Sequence, residues 1–149
     1  MRKASSLLII IARPIQVALF SEALWMLLKW DVLAGFGYAT LFRELNMSVF
    51  GTADPLAGQQ TTELVTAIAR ACRYYPKSAA CLQRSVALAW MLRKRGIAAD
   101  LKIGVRQVPF LSHAWVEVAG KIINDVEQVR EIYAPLHEFK AIPSNPRRS

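Results

Sequence analysis

The spacing of apolar residues changes along the chain, from a helical period in its first part to alternation further on. Apolar side chains recur with helical spacing over 14–31, with Pro14 in the first turn. A second helix is predicted from residue 61 or 62 to residue 71 or 73, and a third over 78–95. Ser78 would cap the third helix and Gly96 would end it.

The connections and the last part of the chain complete an α+β pattern. Residues 31–48 are predicted as a broken helical or coil connection, and residues 50–60 as a linker rich in turn-forming residues. Apolar residues alternate over 101–105 as in a strand, and 113–125 is predicted as a β-hairpin. We therefore expect helices followed by a small antiparallel sheet.

The N-terminal third is apolar enough to need its own interpretation. Residues 7–11 imitate a secretory signal, but Arg-Pro follows at 13–14 and no convincing small-residue cleavage site comes after it. Polar residues between 16 and 29 interrupt any span of about 20 apolar residues. A helix packed on the core, or an apolar face held for a membrane or protein partner, both stay open. Three aromatic residues fit either use: Trp25, Trp30 and Phe36.

Cys81, His113 and Asp125 have the order and settings of a cysteine nucleophile, its base and the carboxylate that orients the base. Cys81 lies near the start of the third helix, where unpaired N–H groups and the helix dipole favour the reactive thiolate. Each residue also has a structural interpretation that stays open. Cys81 could be a small buried hydrophobe, His113 a sheet histidine and Asp125 an acid at a turn or strand end.

The register of the hairpin decides whether His113 and Asp125 meet. A three-residue loop ending in glycine would pair Glu117 with Lys121. That register places His113 opposite Asp125, with Cβ atoms roughly 4.5 to 5.5 Å apart. A two-residue loop would instead oppose Ala114 and Asp125 and put the imidazole and the carboxylate on different faces. We favour the three-residue loop, and the other register stays open.

A dense, ordered set of motifs runs from Tyr74 to about Tyr133. It comprises CLQRSVALAWMLRKRGI at 81–97, LKIGVR at 101–106, SHAWVE at 112–117, Gly120 and Asn124-Asp125. Together these motifs resemble the peptidase domain of lasso-peptide B proteins, a branch of the transglutaminase-like, papain-related cysteine enzymes. Ser112 is a small departure, because the family pattern leads us to expect alanine before the histidine.

The resemblance implies a papain- or transglutaminase-like α+β fold, in which a helical N-terminal part packs on a small antiparallel sheet and the nucleophile starts a helix. We expect a helical region over 1–58, a cysteine peptidase core over 59–141 and a frayed basic tail over 142–149. The resemblance also assigns three catalytic roles: nucleophile to Cys81, base to His113 and orienting acid to Asp125.

The resemblance further implies a function and partners. Members of the family remove the leader from a ribosomally made precursor, so that a separate ATP-dependent cyclase can join the new amino terminus to a side-chain carboxylate. A chain of 149 residues leaves no convincing room for a leader-recognition domain. We therefore expect a stand-alone peptidase that acts on the precursor leader with a separate leader-recognition protein, and with the cyclase as a further partner. Without an export signal we expect it in the cytoplasm, with peripheral membrane contact left open.

Charge gives a weaker indication of the partner. Residues 1–60 carry five basic and four acidic side chains, against fourteen and seven in 61–149, within a net charge of +8. The basic run 93–95 is most simply a solvated helix C-terminus. Nucleic acid is not expected, because no RNA-binding signature or convincing helix-turn-helix accompanies the charge. Five other basic residues could attract an acidic leader or its carrier: Arg70, Arg73, Lys77, Arg84 and Arg106.

The cysteines and histidines predict neither a disulfide scaffold nor a metal site. A bridge from Cys72 to Cys81 would consume the proposed nucleophile, so Cys72 is expected to fill the core. Two cysteines and two histidines at these spacings form no zinc signature, so we expect no metal and no cofactor. His137 is expected on the surface or in a late helix.

Trp115 is the candidate substrate-binding residue, because strand alternation puts it on the face of His113, although a core tryptophan fits equally well. For the oxyanion, the backbone N–H of Cys81 is one candidate donor, and Gln60 or Gln83 could supply a second. Two other functions stay open. A transglutaminase-like acyltransferase would pass the acyl group to an amine, and a non-catalytic module would bind the precursor without cleaving it.

Overall fold

The computed structural model describes the backbone of residues 2–47, 49–50 and 57–143, and the side chains of residues 14–47 and 58–142. The helices are α1 (Arg2–Gly35), α2 (Tyr38–Met47), α3 (Ala57–Tyr74), α4 (Cys81–Lys94) and α5 (Val129–Ile132). The strands are β1 (Val49–Phe50), β2 (Ala99–Gln107), β3 (Phe110–Val118), β4 (Lys121–Ile122), β5 (Ala134–Phe139) and β6 (Ile142–Pro143). The predicted α+β class is confirmed.

Helices α1 and α3 extend beyond their predicted limits, whereas α4 is shorter than the predicted 78–95. Helix α1 begins at Arg2, so Pro14 lies inside it and the prediction of Pro14 in the first turn was wrong. A proline inside a helix removes one backbone hydrogen bond. The helix nonetheless runs from the apolar residues before Pro14 through that position. Helix α2 fills most of the predicted connection after Gly37, whose φ of +105° suits glycine. Helix α3 begins at Ala57 and includes the end of the predicted linker, of which 51–56 lie outside the described residues.

The main sheet has the strand order β4-β3-β2-β5, and its neighbouring strands are antiparallel. Strand β5 is absent from the sequence-based prediction and contains His137. The surface position expected for His137 is confirmed, whereas the alternative of a late helix was wrong. The sequence does not predict this strand because Pro135 interrupts its pattern. Proline is nonetheless tolerated on an edge strand such as β5. Strand β6 pairs in parallel with β1, so the predicted tail begins as a strand, and 144–149 lie outside the described residues.

Helices α1, α3 and α4 pack together, and α4 also packs on β2 and β3. Their buried side chains form one hydrophobic core, to which α1 contributes Ala23 and Leu27, α4 contributes Leu88, and the sheet contributes Leu101 and Val116. The N-terminal helices therefore share one core with α4 and the main sheet. Helix α1 also exposes apolar side chains: of the three aromatic residues singled out, Trp30 is buried, whereas Trp25 and Phe36 are exposed. Among the described helices, none has the length and apolarity that crossing a membrane requires.

The interpretation of the basic run 93–95 as a solvated helix end was wrong for Arg93, whereas Lys94 is exposed as expected. The side chain of Arg93 is 2% exposed and donates to three backbone carbonyls: from Nε to Ala99 (2.9 Å), from Nη1 to Leu45 (2.7 Å) and from Nη2 to Phe139 (2.8 Å). The guanidinium is suited to this position because its donors spread in a fixed plane. Arg93 thus ties α2, β2 and β5 to α4, and desolvation lowers its pKa despite the nearby charge of Asp100.

Candidate active site

Cys81 is the first residue of α4, and the preceding Ala80 has the extended conformation of an N-cap, with φ −66° and ψ 158°. The predicted cap at Ser78 was wrong, because residues 78–80 precede the helix without regular structure and Ala80 is the N-cap. Ala80 offers no side-chain acceptor, and no described side chain caps this helix end. The N–H groups of the first turn, including that of Cys81, therefore keep their positive ends directed out of the helix.

His113 and Asp125 are in direct contact. The imidazole Nε2 of His113, on β3, lies 2.5 Å from Oδ2 of Asp125, in the bend after β4. Asp125 Oδ1 accepts from the backbone N–H of Val126 at 2.8 Å, which fixes the carboxylate. Because a neutral ring with Nε2 against a carboxylate keeps its proton on Nε2, Nδ1 is the basic nitrogen of His113.

The hairpin register that produces this contact differs from the one that we favoured from the sequence. Glu117 pairs with Ile122 rather than with Lys121, so the hairpin has the two-residue loop Ala119-Gly120. Both loop residues have positive φ, 50° and 76°, which matches the twist of a tight hairpin better than a longer loop does. The predicted loop was therefore wrong. His113 and Asp125 still meet because β4 ends at Ile122 and the chain then bends.

Cys81, His113 and Asp125 line one small cavity of about 80 Å³ between α3, α4 and the sheet. Its wall also includes Ala114, Ser85 and Asn124. The side chains of His113 and Asp125 are 22% and 28% exposed, so the pair is open to a ligand at the surface. Further lining residues come from α3 and α4: Val65, Ile68, Ala69, Arg84 and Leu88.

Two aromatic rings lie against the imidazole of His113. The ring centroid of Tyr133 is 5.2 Å away and that of Trp115 is 6.4 Å away, the latter in a stacked arrangement. Trp115 is 3% exposed and its Nε1 donates to Glu117 Oε1 at 2.9 Å. Trp115 is not among the residues that line the cavity. The structure therefore places Trp115 behind the imidazole, where it supports the ring.

Most of the other candidates lie away from the cavity. Gln83 is buried, and its amide donates to Leu27 O at 3.0 Å, whereas Gln60 is exposed on α3. Cys72 packs against the core, and desolvation raises the pKa of its thiol, with partial opposition from the charge of Arg84. Of the five basic residues proposed to attract a leader, Arg84 lines the cavity. Lys77 forms an ion pair with Asp31 at 2.5 Å.

Asn124, Ser85 and Tyr133 belong to the site but received no role from sequence reasoning. Asn124 directly precedes Asp125, and Ser85 follows Cys81 by one helical turn. These positions were a usable signal, whereas the approach of Tyr133 depends on β5, which was not predicted. Within the described residues, no group of three His, Cys, Asp or Glu side chains could hold a metal ion.

The fold and the cavity define an α+β protein in which a thiol at a helix start shares a cavity with an imidazole from the sheet and a carboxylate from the bend after β4. A family model for the transglutaminase-like superfamily matches residues 24–138, which include all three groups. The chain therefore belongs to the transglutaminase-like superfamily.

A more specific similarity covers part of the chain. Over 59 residues it is 53% identical to the microcin J25-processing protein McjB of Escherichia coli. The alignment covers 40% of this chain and spans only 28% of the length of that relative. Together with the family match, it confirms the resemblance to lasso-peptide B proteins. No solved structure matches the chain significantly.

Proposed function

We propose that this protein is a cysteine peptidase that removes the leader from a ribosomally synthesised lasso-peptide precursor before the macrolactam is formed. The observation that carries the proposal is the contact of His113 with Asp125 at the cavity that Cys81 also lines. The similarity to a protein named for processing microcin J25 supports a peptide substrate of this class. A cysteine peptidase requires these three groups at one opening, so the shared cavity supports catalysis rather than binding alone.

In the first step, the Cys81 thiol gives its proton to Nδ1 of His113, and the sulfur attacks the carbonyl carbon of the scissile amide. A carbon–sulfur bond forms and the carbonyl oxygen becomes negative. The imidazolium then passes its proton to the amide nitrogen while the carbon–nitrogen bond breaks. The core peptide leaves with a free amino terminus, and the leader remains as a thioester on Cys81.

In the second step, a water molecule enters where the amine has left and hydrolyses the thioester. His113 takes a proton from water, the oxygen attacks the thioester carbon, and the proton goes to sulfur as the carbon–sulfur bond breaks. Asp125 accepts the Nε2–H throughout, which keeps the ring oriented. One water molecule is consumed for each amide cleaved.

The start of α4 is suited to the negative oxygen of both steps. The helix is uncapped by described side chains, so the N–H of Cys81 is available to the carbonyl oxygen. One such donor contributes about 3 kcal/mol to an acyl-transfer reaction when it is in place beforehand. The buried amide of Gln83 bonds to Leu27, which argues against Gln83 as the second donor.

The partners follow from the same proposal. The substrate is the precursor leader, which a separate leader-recognition protein presents, and the product with its new amino terminus passes to the ATP-dependent cyclase. We place these events in the cytoplasm. Arg84 adds a positive charge to the cavity wall and would favour an acidic group of the substrate nearby.

The test is to mix the purified chain with a lasso precursor, with and without the leader-recognition protein, and to measure intact masses. We expect leader and core fragments that sum to the precursor plus one water. Cys81→Ala should abolish them, while Cys72→Ala, the matched control, should not. Equal cleavage by Cys81→Ala, or none by the wild-type chain with the carrier present, would reject the proposal.

Two outcomes would indicate the other functions. A leader fragment that carries an added amine, rather than a free acid, would identify an acyltransferase that uses the same groups. Tight precursor binding without cleavage, unchanged in Cys81→Ala, would identify a binding module.

A further inference from the structure

Asp125 reaches His113 only because strand pairing stops at the right residue. In the observed register a longer β4 would place Asp125 opposite Ala114, whose side chain points to the face opposite that of His113. The carboxylate would then lie on the wrong side of the sheet. Something must therefore end β4 after Ile122 and turn the chain back toward the imidazole.

The side chain of Asn124 occupies the point where pairing stops. The backbone N–H of Ile123 still donates to Val116 O at 3.1 Å, as the next rung of the ladder requires. The second hydrogen bond of this strand pair, from the N–H of Val116, does not go to a strand carbonyl. It goes to Asn124 Oδ1, at 2.8 Å. Asn124 thus satisfies the last donor of β3 while releasing its own backbone from the sheet.

The same side chain reaches the helix of the nucleophile. Asn124 Nδ2 donates to Ser85 Oγ at 3.0 Å, and the Ser85 hydroxyl donates to Ala114 O at 2.9 Å. Ser85 is 1% exposed and lies one helical turn after Cys81 on α4. Ala114 directly follows His113 on β3. The amide and the hydroxyl therefore connect the three segments that carry Cys81, His113 and Asp125.

We propose that Asn124, acting with Ser85, is a positioning residue that sets the orientation of the His113–Asp125 pair relative to Cys81. This inference rests on the proposed peptidase function for its kinetic consequence, but the orientation itself can be measured without substrate. Asn124 acts through Asp125 and the end of β4. Its amide suits this position because it accepts and donates at the same time, which neither aspartate nor leucine can do.

The first measurement is the tautomer of His113, from the imidazole ¹⁵N shifts of the free protein. The chain has two histidines, so His137→Asn assigns the signals. We expect the wild-type ring to hold its proton on Nε2, and Asn124→Ala to give a mixture of tautomers. Asn46→Ala, an exposed asparagine on α2, is the matched control and should leave the shifts unchanged.

The second measurement is cleavage of the precursor at a temperature where each variant is folded. Asn124→Ala should lower kcat by about 100-fold with little change in KM, as expected when catalytic groups are misplaced by an ångström. Asn124→Asp, which keeps the acceptor for Val116, should recover part of that loss. Ser85→Ala should lower kcat too, and combining it with Asn124→Ala should add little, because both act in one network.

The outcomes separate this inference from the proposed function. If Asn124→Ala had the same imidazole ¹⁵N shifts and the same kcat as the wild-type chain, the positioning role would be overturned. A lower kcat in Asn124→Ala with unchanged shifts would also overturn it. If the wild-type chain cleaves no precursor while Asn124→Ala still changes the tautomer, the peptidase proposal fails and the positioning of the imidazole stands.

Discussion

Gly104 lies directly across the β2–β3 ladder from His113. A Cβ atom at Gly104 would lie 2.8 Å from Cβ of Tyr133 and 3.0 Å from Cη2 and Cζ3 of Trp115. These are the two rings that lie against the imidazole. The absence of a side chain at 104 therefore allows both aromatic residues to support His113 from behind.

We expect Gly104→Ala to push these rings toward His113. Overpacking of this kind costs about 1 to 3 kcal/mol, because backbone and ring atoms must move. Chemical denaturation should show that loss, and cleavage should fall through kcat as the imidazole is displaced. Gly58→Ala, on α3, is the control: a Cβ there meets nothing within 4 Å and alanine favours a helix more than glycine does, so stability should not fall. Wild-type stability and kcat in Gly104→Ala would show that the rings yield without disturbing the site.

Arg93 should be among the residues most sensitive to substitution. Arg93→Met removes the three hydrogen bonds to Ala99, Leu45 and Phe139 and leaves buried carbonyls without donors, so we expect a loss of more than about 3 kcal/mol. Arg93→Lys should recover little, since an ammonium lacks the planar set of donors. Lys94→Met, on a side chain 64% exposed, should cost less than about 0.5 kcal/mol. Equal losses of stability in Arg93→Met and Lys94→Met would contradict the structural role of Arg93.

Arg93 also illustrates what the sequence could and could not predict. A basic run before Gly96 correctly indicates the end of a helix, but the helical period alone cannot say which cation faces the core. That choice depends on where the ends of α2, β2 and β5 converge, which is a property of the tertiary structure. For the same reason β5 was missed, because its pairing with β2 is not encoded in its own pattern of residues.

The candidate site was predictable to the level of its residue types. Cys81, His113 and Asp125 were identified from order and local setting, and the structure brings them to one cavity. The register could not be derived, because loops of two and three residues are both compatible with Ala119-Gly120. The network of Asn124 and Ser85 compensates for the register and depends on contacts between segments 39 residues apart.

The two thiols should differ in reactivity. Burial raises the pKa of Cys72, so its thiol is mainly protonated at neutral pH, whereas Cys81 opens on the cavity beside His113. With one equivalent of iodoacetamide at pH 7, we expect peptide mapping to find the label on Cys81. The Cys81→Ala variant, which keeps Cys72, should then react with iodoacetamide at least about tenfold more slowly than the Cys72→Ala variant, which keeps Cys81. Faster labelling of Cys72 would remove the basis for treating Cys81 as the reactive thiol.

The ion pair between Glu22 and Arg95 predicts how stability depends on pH. The hydrogen bond from Arg95, at 2.5 Å, holds the pKa of Glu22 below its ordinary value of 4.5, against the opposing effect of burial and with help from the charges of Arg95 and Lys94. The unfolded chain thus binds the proton more readily than the folded one. The stabilisation is present above about pH 4.5 and is lost as the pH falls through the lowered folded pKa.

Glu22→Gln tests this sign directly. At pH 7 the variant should have a free energy of unfolding about 1 to 2 kcal/mol below wild type, because a charged hydrogen bond to Arg95 is replaced by a neutral one. As the pH falls below 4.5 the wild-type carboxyl becomes protonated, so the two curves should converge. Glu63→Gln, an exposed glutamate on α3, is the control and should change the free energy of unfolding at pH 7 by less than about 0.5 kcal/mol. A difference between Glu22→Gln and wild type that stays constant from pH 7 to pH 3 would mean that packing of the side chain, rather than its charge, stabilises α1 against the end of α4.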